Sequence, residues 1–286
     1  MLCVAERRCV LFTGDYSFFD YKYNITGYSG QDYGGPAQWI YLALSAFLLV
    51  TLLVILKKLP REKIYKLVGF TGIFLTVFYM TKTTWESVYD ITLQGAFNTG
   101  ILPFDTCSII MPAAILAGFG RGRVRETAKA WCMTGGILGG FANLLFLNAF
   151  KFYPFFSFGA SYSMIWHFLM VFIGLILIAA EPGPLTFAIM KNGYALHVLV
   201  SLFIIPIDFI FGFDFMLYRD LGGVPVFESI AAGFTARHLA FLNPLMMLLL
   251  YFAGFSIIFG ITALFKNLLS KRFDSAVSLN RLFRGK

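Results

Sequence analysis

The chain has 286 residues, of which 58% are hydrophobic and 13% are charged. Soluble domains carry about a quarter charged residues, so this composition excludes an ordinary soluble domain, and its hydrophobicity excludes a disordered chain. The net charge of +8 does not indicate nucleic-acid binding, because a mostly apolar surface cannot present the continuous basic face that phosphates require. We therefore predict an integral membrane protein.

Long uncharged runs along the chain indicate helices that cross a membrane. A helix crosses a hydrocarbon core of roughly 30 Å with about 20 apolar residues. The runs are apolar on every face, which is typical of helices rather than of alternating strands. The predicted fold is an all-α polytopic bundle of about seven transmembrane helices. The predicted spans are Ala37–Leu56, Leu67–Thr81, Thr99–Phe119, Ala130–Phe150, Ala160–Ala180, Tyr194–Leu217 and Leu239–Phe265.

Lys and Arg residues outside these spans predict the orientation of the chain. With the amino terminus outside, 16 of the 23 basic residues lie on the inner side and 7 on the outer side. The positive-inside rule favours that arrangement and a cytoplasmic carboxyl terminus. The sequence thus divides into an extracytoplasmic interfacial tail (1–36), a seven-helix transmembrane domain (37–265) and a basic cytoplasmic tail (266–286).

Polar side chains inside apolar spans are costly, so their depth is informative. With about 1.5 Å of rise per residue, Cys107 in the third span and His167 in the fifth are both predicted roughly 10–12 Å below the outer surface. Further polar residues are predicted to line one outward-facing cavity with them. These supporting residues are Asp105, Ser108, Asn143, Ser163, Asp208 and Asp214.

Each of these residues also has a simpler structural interpretation. A lone Cys in a span is often a small hydrophobic core residue, and a membrane His or Asn is often an interhelical hydrogen-bond partner. The shared depth favours a functional site over those interpretations. Two overlapping GxxxG patterns in the fourth span, formed by Gly135, Gly136, Gly139 and Gly140, instead predict close packing of helices.

The sequence lacks the motifs that are typical of metal sites and of ATP-driven pumps. The sequence has no CxxC, HExxH or P-loop pattern, so neither a metal site nor an ATP-driven pump is predicted, and no cofactor is expected. A Cys with a His base can accept an acyl group as a thioester and pass it to a hydroxyl group. At the predicted depth, the ester bonds that such a pair would reach are those of lipids.

Three segments of the chain resemble a known family pattern. The segment LPFDTCS at Leu102–Ser108 resembles the LPxxxC-type third-span motif of the YwaF-like bacterial membrane proteins and the related transmembrane protein 164 family. His167 within IWHF fits the fifth-span position of that pattern. The segment Asp208–Leu217, followed by Gly223–Pro225, resembles its sixth-span end and following loop. We predict a protein of the bacterial cell (plasma) membrane.

The resemblance implies a seven-helix membrane protein and, for the eukaryotic branch, a Cys/His acyltransferase acting on phospholipid chains. On that pattern Cys107 is the nucleophile and His167 is its base. The predicted function is an intramembrane acyltransferase or lipid acyl hydrolase with a phospholipid or lysophospholipid substrate. Self-association is left open.

Two other functions remain open from the sequence. One is a transporter-like or solute- or ion-binding membrane protein that uses Asp208, Asp214 and His167. The other is a membrane scaffold in which the polar residues are incidental.

Overall fold

The computed structural model describes residues 16–22, 24–25, 35–95, 101–145, 149–219 and 225–284. These parts of the chain are helical and contain no β-strand. The helices are α1 (Pro36–Leu56), α2 (Arg61–Gln94), α3 (Ile110–Phe119), α4 (Gly122–Trp131), α5 (Ile137–Leu145), α6 (Ala149–Phe152), α7 (Phe158–Ala180), α8 (Phe187–Phe211), α9 (Pro225–Ala236) and α10 (Asn243–Arg284).

Among the described residues, five helical segments are long and apolar enough to cross a membrane. They correspond to the first, second, fifth, sixth and seventh predicted spans, which confirms an all-helical membrane protein. Their bounds are Gln38–Leu56, Arg61–Gln94, Phe158–Ala180, Phe187–Phe211 and Ala240–Asn267.

The third and fourth predicted spans are less regular than expected. The third is a shorter apolar segment, Thr106–Phe119, in which one 3₁₀ turn leads into α3. The fourth begins earlier than the predicted Ala130. It is a continuous helical run of α4, a π-helical turn (Cys132–Gly136) and α5. The first turns of α4 are charged, so they lie outside the uncharged run from which the fourth span was predicted.

The second predicted span, Leu67–Thr81, is too short at both ends. Helix α2 has 34 residues and carries Lys82, Glu86 and Asp90 in its second half. Lys82 and Glu86 form an ion pair one helical turn apart. The helix therefore continues through a charged segment at which the uncharged run stopped.

Glycines allow α2 and α3 to pack backbone against backbone. A methyl group added to Gly72 would lie 2.8 Å from the backbone nitrogen of Ile115. One added to Gly118 would lie 2.7 Å from the carbonyl oxygen of Tyr65. Both distances are too short for a carbon atom, so glycine is required for this approach of the two helices.

A buried ion-pair cluster joins helices at one end of the bundle, which we call the basic end. The Lys129 side chain is 1% exposed, and its Nζ lies 2.6 Å from Glu181 Oε1 and 3.1 Å from Glu126 Oε2. The same ammonium group lies 5.0 Å from the centre of the Tyr65 ring. The beginning of α2, the last turn of α4 and the end of α7 therefore meet at the basic end.

Helix α10 reaches the same basic end. Lys266 Nζ donates hydrogen bonds to the carbonyl oxygens of Ile178 (2.5 Å) and Glu181 (2.7 Å). The last carbonyl groups of a helix have no partner within the helix. Lys266 therefore stabilises the end of α7 and fixes α10 against it.

Replacing Lys129 by alanine is expected to destabilise the protein by about 1–3 kcal/mol, because it leaves the buried Oε1 atom of the half-buried Glu181 carboxylate without its cation. The measurement is thermal unfolding of purified protein in detergent. Lys191→Ala is the matched control, because Lys191 is exposed at the beginning of α8. Equal melting temperatures for the two variants would contradict a stabilising role for the cluster.

Candidate functional site

Cys107 lies in the 3₁₀ turn Thr106–Ile109, immediately before α3. Asp105 precedes the turn in an extended conformation, and its carbonyl oxygen accepts a hydrogen bond of 2.9 Å from the Ser108 amide. The thiol is half-buried, whereas Cys132 is fully buried. Cys107 thus does not lie two turns inside a helix, as the depth argument assumed, but at the point where the helical segment begins.

His167 lies on α7, and its side chain has a fixed orientation. The residue is 8% exposed, and Nδ1 is 2.7 Å from the carbonyl oxygen of Ser163. A carbonyl oxygen only accepts, so Nδ1 carries the hydrogen atom and a neutral ring has its lone pair on Nε2. The Ser163 hydroxyl is farther away, at 3.4 Å. His167 therefore contacts Ser163 mainly through the Ser163 backbone.

Two consecutive glycines of α5 lie against the Cys107 turn and against the turn of α7 that carries His167. A methyl group added to Gly139 would lie 3.6 Å from Cys107 Sγ and 3.1 Å from Met170 Cε. One added to Gly140 would lie 2.9 Å from the carbonyl oxygen of His167. The two residues that the sequence singled out therefore border neighbouring positions of one helix.

Gly140→Ala is expected to destabilise the protein by about 1–3 kcal/mol, the usual range for overpacking. The new methyl group would meet the His167 carbonyl oxygen and lie 2.6 Å from Val171 Cγ2, and a backbone atom cannot move aside easily. Gly139→Ala is the control, because its methyl group meets the end of the flexible Met170 side chain. Thermal unfolding in detergent compares the two, and an equal or larger loss in Gly139→Ala would contradict the packing described.

Asn143 lies one helical turn beyond the two glycines, on the same face of α5. Its Oδ1 atom is buried and, among the described residues, accepts no hydrogen bond. Ser108, next to Cys107 in the 3₁₀ turn, is also buried. Asn143 is thus a predicted supporting residue with an unused hydrogen-bond acceptor in the described part of the chain.

Asp208 and Asp214 accept hydrogen bonds from the backbone of the segment that follows α8. Asp208 Oδ1 accepts a 2.9 Å hydrogen bond from the Phe215 amide, and Asp214 Oδ1 accepts a 2.7 Å hydrogen bond from the Arg219 amide. Both carboxylates therefore fix the chain that follows α8. Asp208 Oδ2 is buried and has no partner among the described residues.

The segment fixed by these carboxylates contains unusual backbone geometry. Met216 and Leu217 have φ values of 54° and 62°, a left-handed conformation that is costly for residues with a side chain. The carboxylate of Asp105 lies against the Met216 amide. The segment after α8 is thus held directly beside the turn that carries Cys107.

Four polar residues beside this centre were not predicted. His197 and Ser201 on α8 and Tyr218 after it are fully buried, and Tyr251 on α10 lies with its hydroxyl 2.8 Å from Thr106 Oγ1. His197 was a detectable signal, because it is an ionisable residue within a predicted span. The two tyrosines gave no such signal in the sequence, because Tyr is common at membrane interfaces.

Metal binding has no support in the part of the chain that the structure describes. No group of three or more His, Cys, Asp or Glu side chains in it is arranged to hold an ion.

Five apolar helices of membrane-spanning length define the class of this molecule as a helical integral membrane protein. The model of the TMEM164 family matches residues 33–263, which include Cys107 and His167. The chain belongs to this family. No curated protein and no solved structure matches the chain significantly. The resemblance to the TMEM164 family is confirmed, and the relation to the YwaF-like proteins stays a prediction.

Proposed function

We propose that this protein is an intramembrane acyltransferase that moves a phospholipid acyl chain through a thioester on Cys107. The observation that carries the proposal is the placement of Cys107 and His167 against Gly139 and Gly140 of α5. The Ser163 carbonyl supports the role of His167, because it holds the imidazole with Nε2 available as a base.

The proposed reaction has two half-reactions. In the first, His167 Nε2 takes the proton of the Cys107 thiol, the thiolate attacks the ester carbonyl of a phospholipid, and the lysophospholipid leaves with the proton from His167. In the second, His167 removes a proton from the hydroxyl of an acceptor lipid, which attacks the thioester and restores the thiol. With water as the acceptor, the same residues would hydrolyse the lipid.

We also propose seven membrane crossings with the amino terminus outside. The five long helices, the segment Thr106–Phe119 and the continuous run of α4, the π-helical turn and α5 supply seven segments. The beginning of α2 and the first half of the run from α4 to α5, which contains Lys129, meet the end of α7, and this supports alternating directions. The positive-inside rule then puts the basic end in the cytoplasm and Cys107 near the outer leaflet. The bacterial cell membrane is the proposed location.

Acyl transfer in vesicles tests the proposed function. Purified protein is reconstituted with a phospholipid that carries a deuterated acyl chain and with an unlabelled lysophospholipid of a different headgroup. Mass spectrometry is expected to find deuterated chains on the second headgroup. Release of free deuterated fatty acid alone would identify a hydrolase instead. Label that stays on the original lipid, as in protein-free vesicles, would refute both activities.

A further inference from the structure

A hydroxyl group of α10 contacts the turn that carries Cys107. The Tyr251 hydroxyl lies 2.8 Å from Thr106 Oγ1, on the residue that precedes Cys107. The same hydroxyl lies 3.4 Å from the carbonyl oxygen of Met216, at the limit of a weak hydrogen bond. Tyr251 therefore connects the Cys107 turn to α10 and to the segment after α8.

The Tyr251 ring is held in turn by His197. The two ring centroids are 4.2 Å apart, with an angle of 56° between the planes. His197 is fully buried, and Phe255 packs on it at 5.5 Å. Tyr251 thus has little freedom to turn its hydroxyl away from Thr106.

Buried hydroxyl groups limit the movement of His197. Its Nε2 lies 3.4 Å from the Tyr218 hydroxyl, and its carbonyl oxygen accepts a 2.7 Å hydrogen bond from Ser201. Ser201 and Tyr218 are hydrogen-bonded to each other. His197 touches neither Cys107 nor His167 in these contacts, so any effect on the reaction passes through Tyr251.

We propose that Tyr251 and His197 are positioning residues that hold the Cys107 thiol in its attacking geometry. This inference rests on the proposed acyl transfer. A short 3₁₀ turn has few internal hydrogen bonds and poorer hydrogen-bond geometry than an α-helix, so an external anchor determines where its side chains point. A displacement of about 1 Å in a reacting group can cost about 100-fold in rate.

Three variants separate positioning from general stability. Tyr251→Phe removes only the hydroxyl, His197→Ala removes the supporting ring, and His197→Phe restores a ring of similar shape. The matched control is Tyr194→Phe, because the Tyr194 hydroxyl donates a 2.8 Å hydrogen bond to the Leu248 carbonyl of α10 without touching the Cys107 turn. All are measured in the full-length chain.

The kinetic readout is the split between kcat and KM in the vesicle assay. Tyr251→Phe and His197→Ala are expected to lower kcat by about 10- to 100-fold with little change in KM, because lipid binding is unaffected while the thiol is misplaced. His197→Phe is expected to recover most of the activity, and Tyr194→Phe to stay within about twofold of the parent protein. Equal losses in Tyr194→Phe and Tyr251→Phe would overturn the inference.

Hydrogen–deuterium exchange tests the anchor without depending on activity. Peptides covering residues 101–109 are expected to exchange faster in Tyr251→Phe and His197→Ala than in Tyr194→Phe. Unchanged exchange there would overturn the positioning role, whether or not the protein transfers acyl chains. Faster exchange in a protein that transfers no acyl chain would overturn the proposed function and leave the anchor established.

Discussion

Replacing Cys107 by alanine is expected to lower acyl transfer by about 10⁶-fold, the scale seen when a catalytic nucleophile is removed. The thioester requires the Cys107 sulfur, and Cys132, the other cysteine among the described residues, is fully buried. The measurement is the movement of deuterated chains between lipid headgroups in vesicles. The loss should appear in kcat, because the lipid-facing surface is unchanged.

Cys132→Ala is the matched control for that experiment. Cys132 lies in the π-helical turn, where its carbonyl oxygen is packed closely against Gly174 of α7. Its replacement removes one buried sulfur atom and leaves the candidate site intact, so activity is expected to remain within several-fold of the parent protein. A Cys107→Ala variant as active as Cys132→Ala would rule out the nucleophile.

His167→Gln is expected to lower acyl transfer by about 10²- to 10⁴-fold, the usual contribution of a general acid–base group. Glutamine keeps a polar side chain of similar size near the Ser163 carbonyl but cannot take the thiol proton. The vesicle assay measures the loss, and thermal unfolding in detergent confirms that the variant is folded.

A second histidine supplies the control for His167. His238 is exposed, after α9, in a left-handed conformation with φ of 57°. His238→Gln is expected to leave acyl transfer unchanged. Full activity in His167→Gln would mean that another group takes the thiol proton, and the role assigned to His167 would then fail.

The sequence predicted the fold best where a helix is apolar along its whole length. Helices α1 and α7 lie close to predicted spans, because uncharged runs of about 20 residues are the signal of a crossing. Helix α8 begins at Phe187 rather than at the predicted Tyr194, because Lys191 interrupts the uncharged run, and it ends at Phe211 rather than at Leu217. The ends of α2 were missed for a physical reason. Lys82 and Glu86 form an ion pair along the helix, so charge does not end the helix there.

The prediction of the site depended on tertiary packing to different degrees. The contact between Ser163 and His167 follows from a spacing of four residues on one helix. The approach of Cys107 to α5 does not follow from any spacing within one helix. Gly139 and Gly140 indicated only that some helix packs against α5 there. Their sequence pattern predicts close packing but does not name the helix that approaches.

The carboxylates after α8 show a further limit of the sequence. Asp208 and Asp214 have the composition of a solute or ion site, yet each accepts a backbone amide hydrogen bond within its own segment. A carboxylate that fixes a loop and one that binds a ligand are indistinguishable in sequence, because both are simply acidic residues at the end of a span.

The proposed thioester on Cys107 is tested most directly by the mass of the peptide that contains this residue, measured after the protein has been incubated with a deuterated phospholipid. One deuterated acyl group is expected on Cys107. Neutral hydroxylamine should remove this group, as expected for a thioester, and the group should be absent in Cys107→Ala. A protein that transfers acyl chains but carries the deuterated acyl group on another residue, or on none, would contradict the proposed thioester on Cys107.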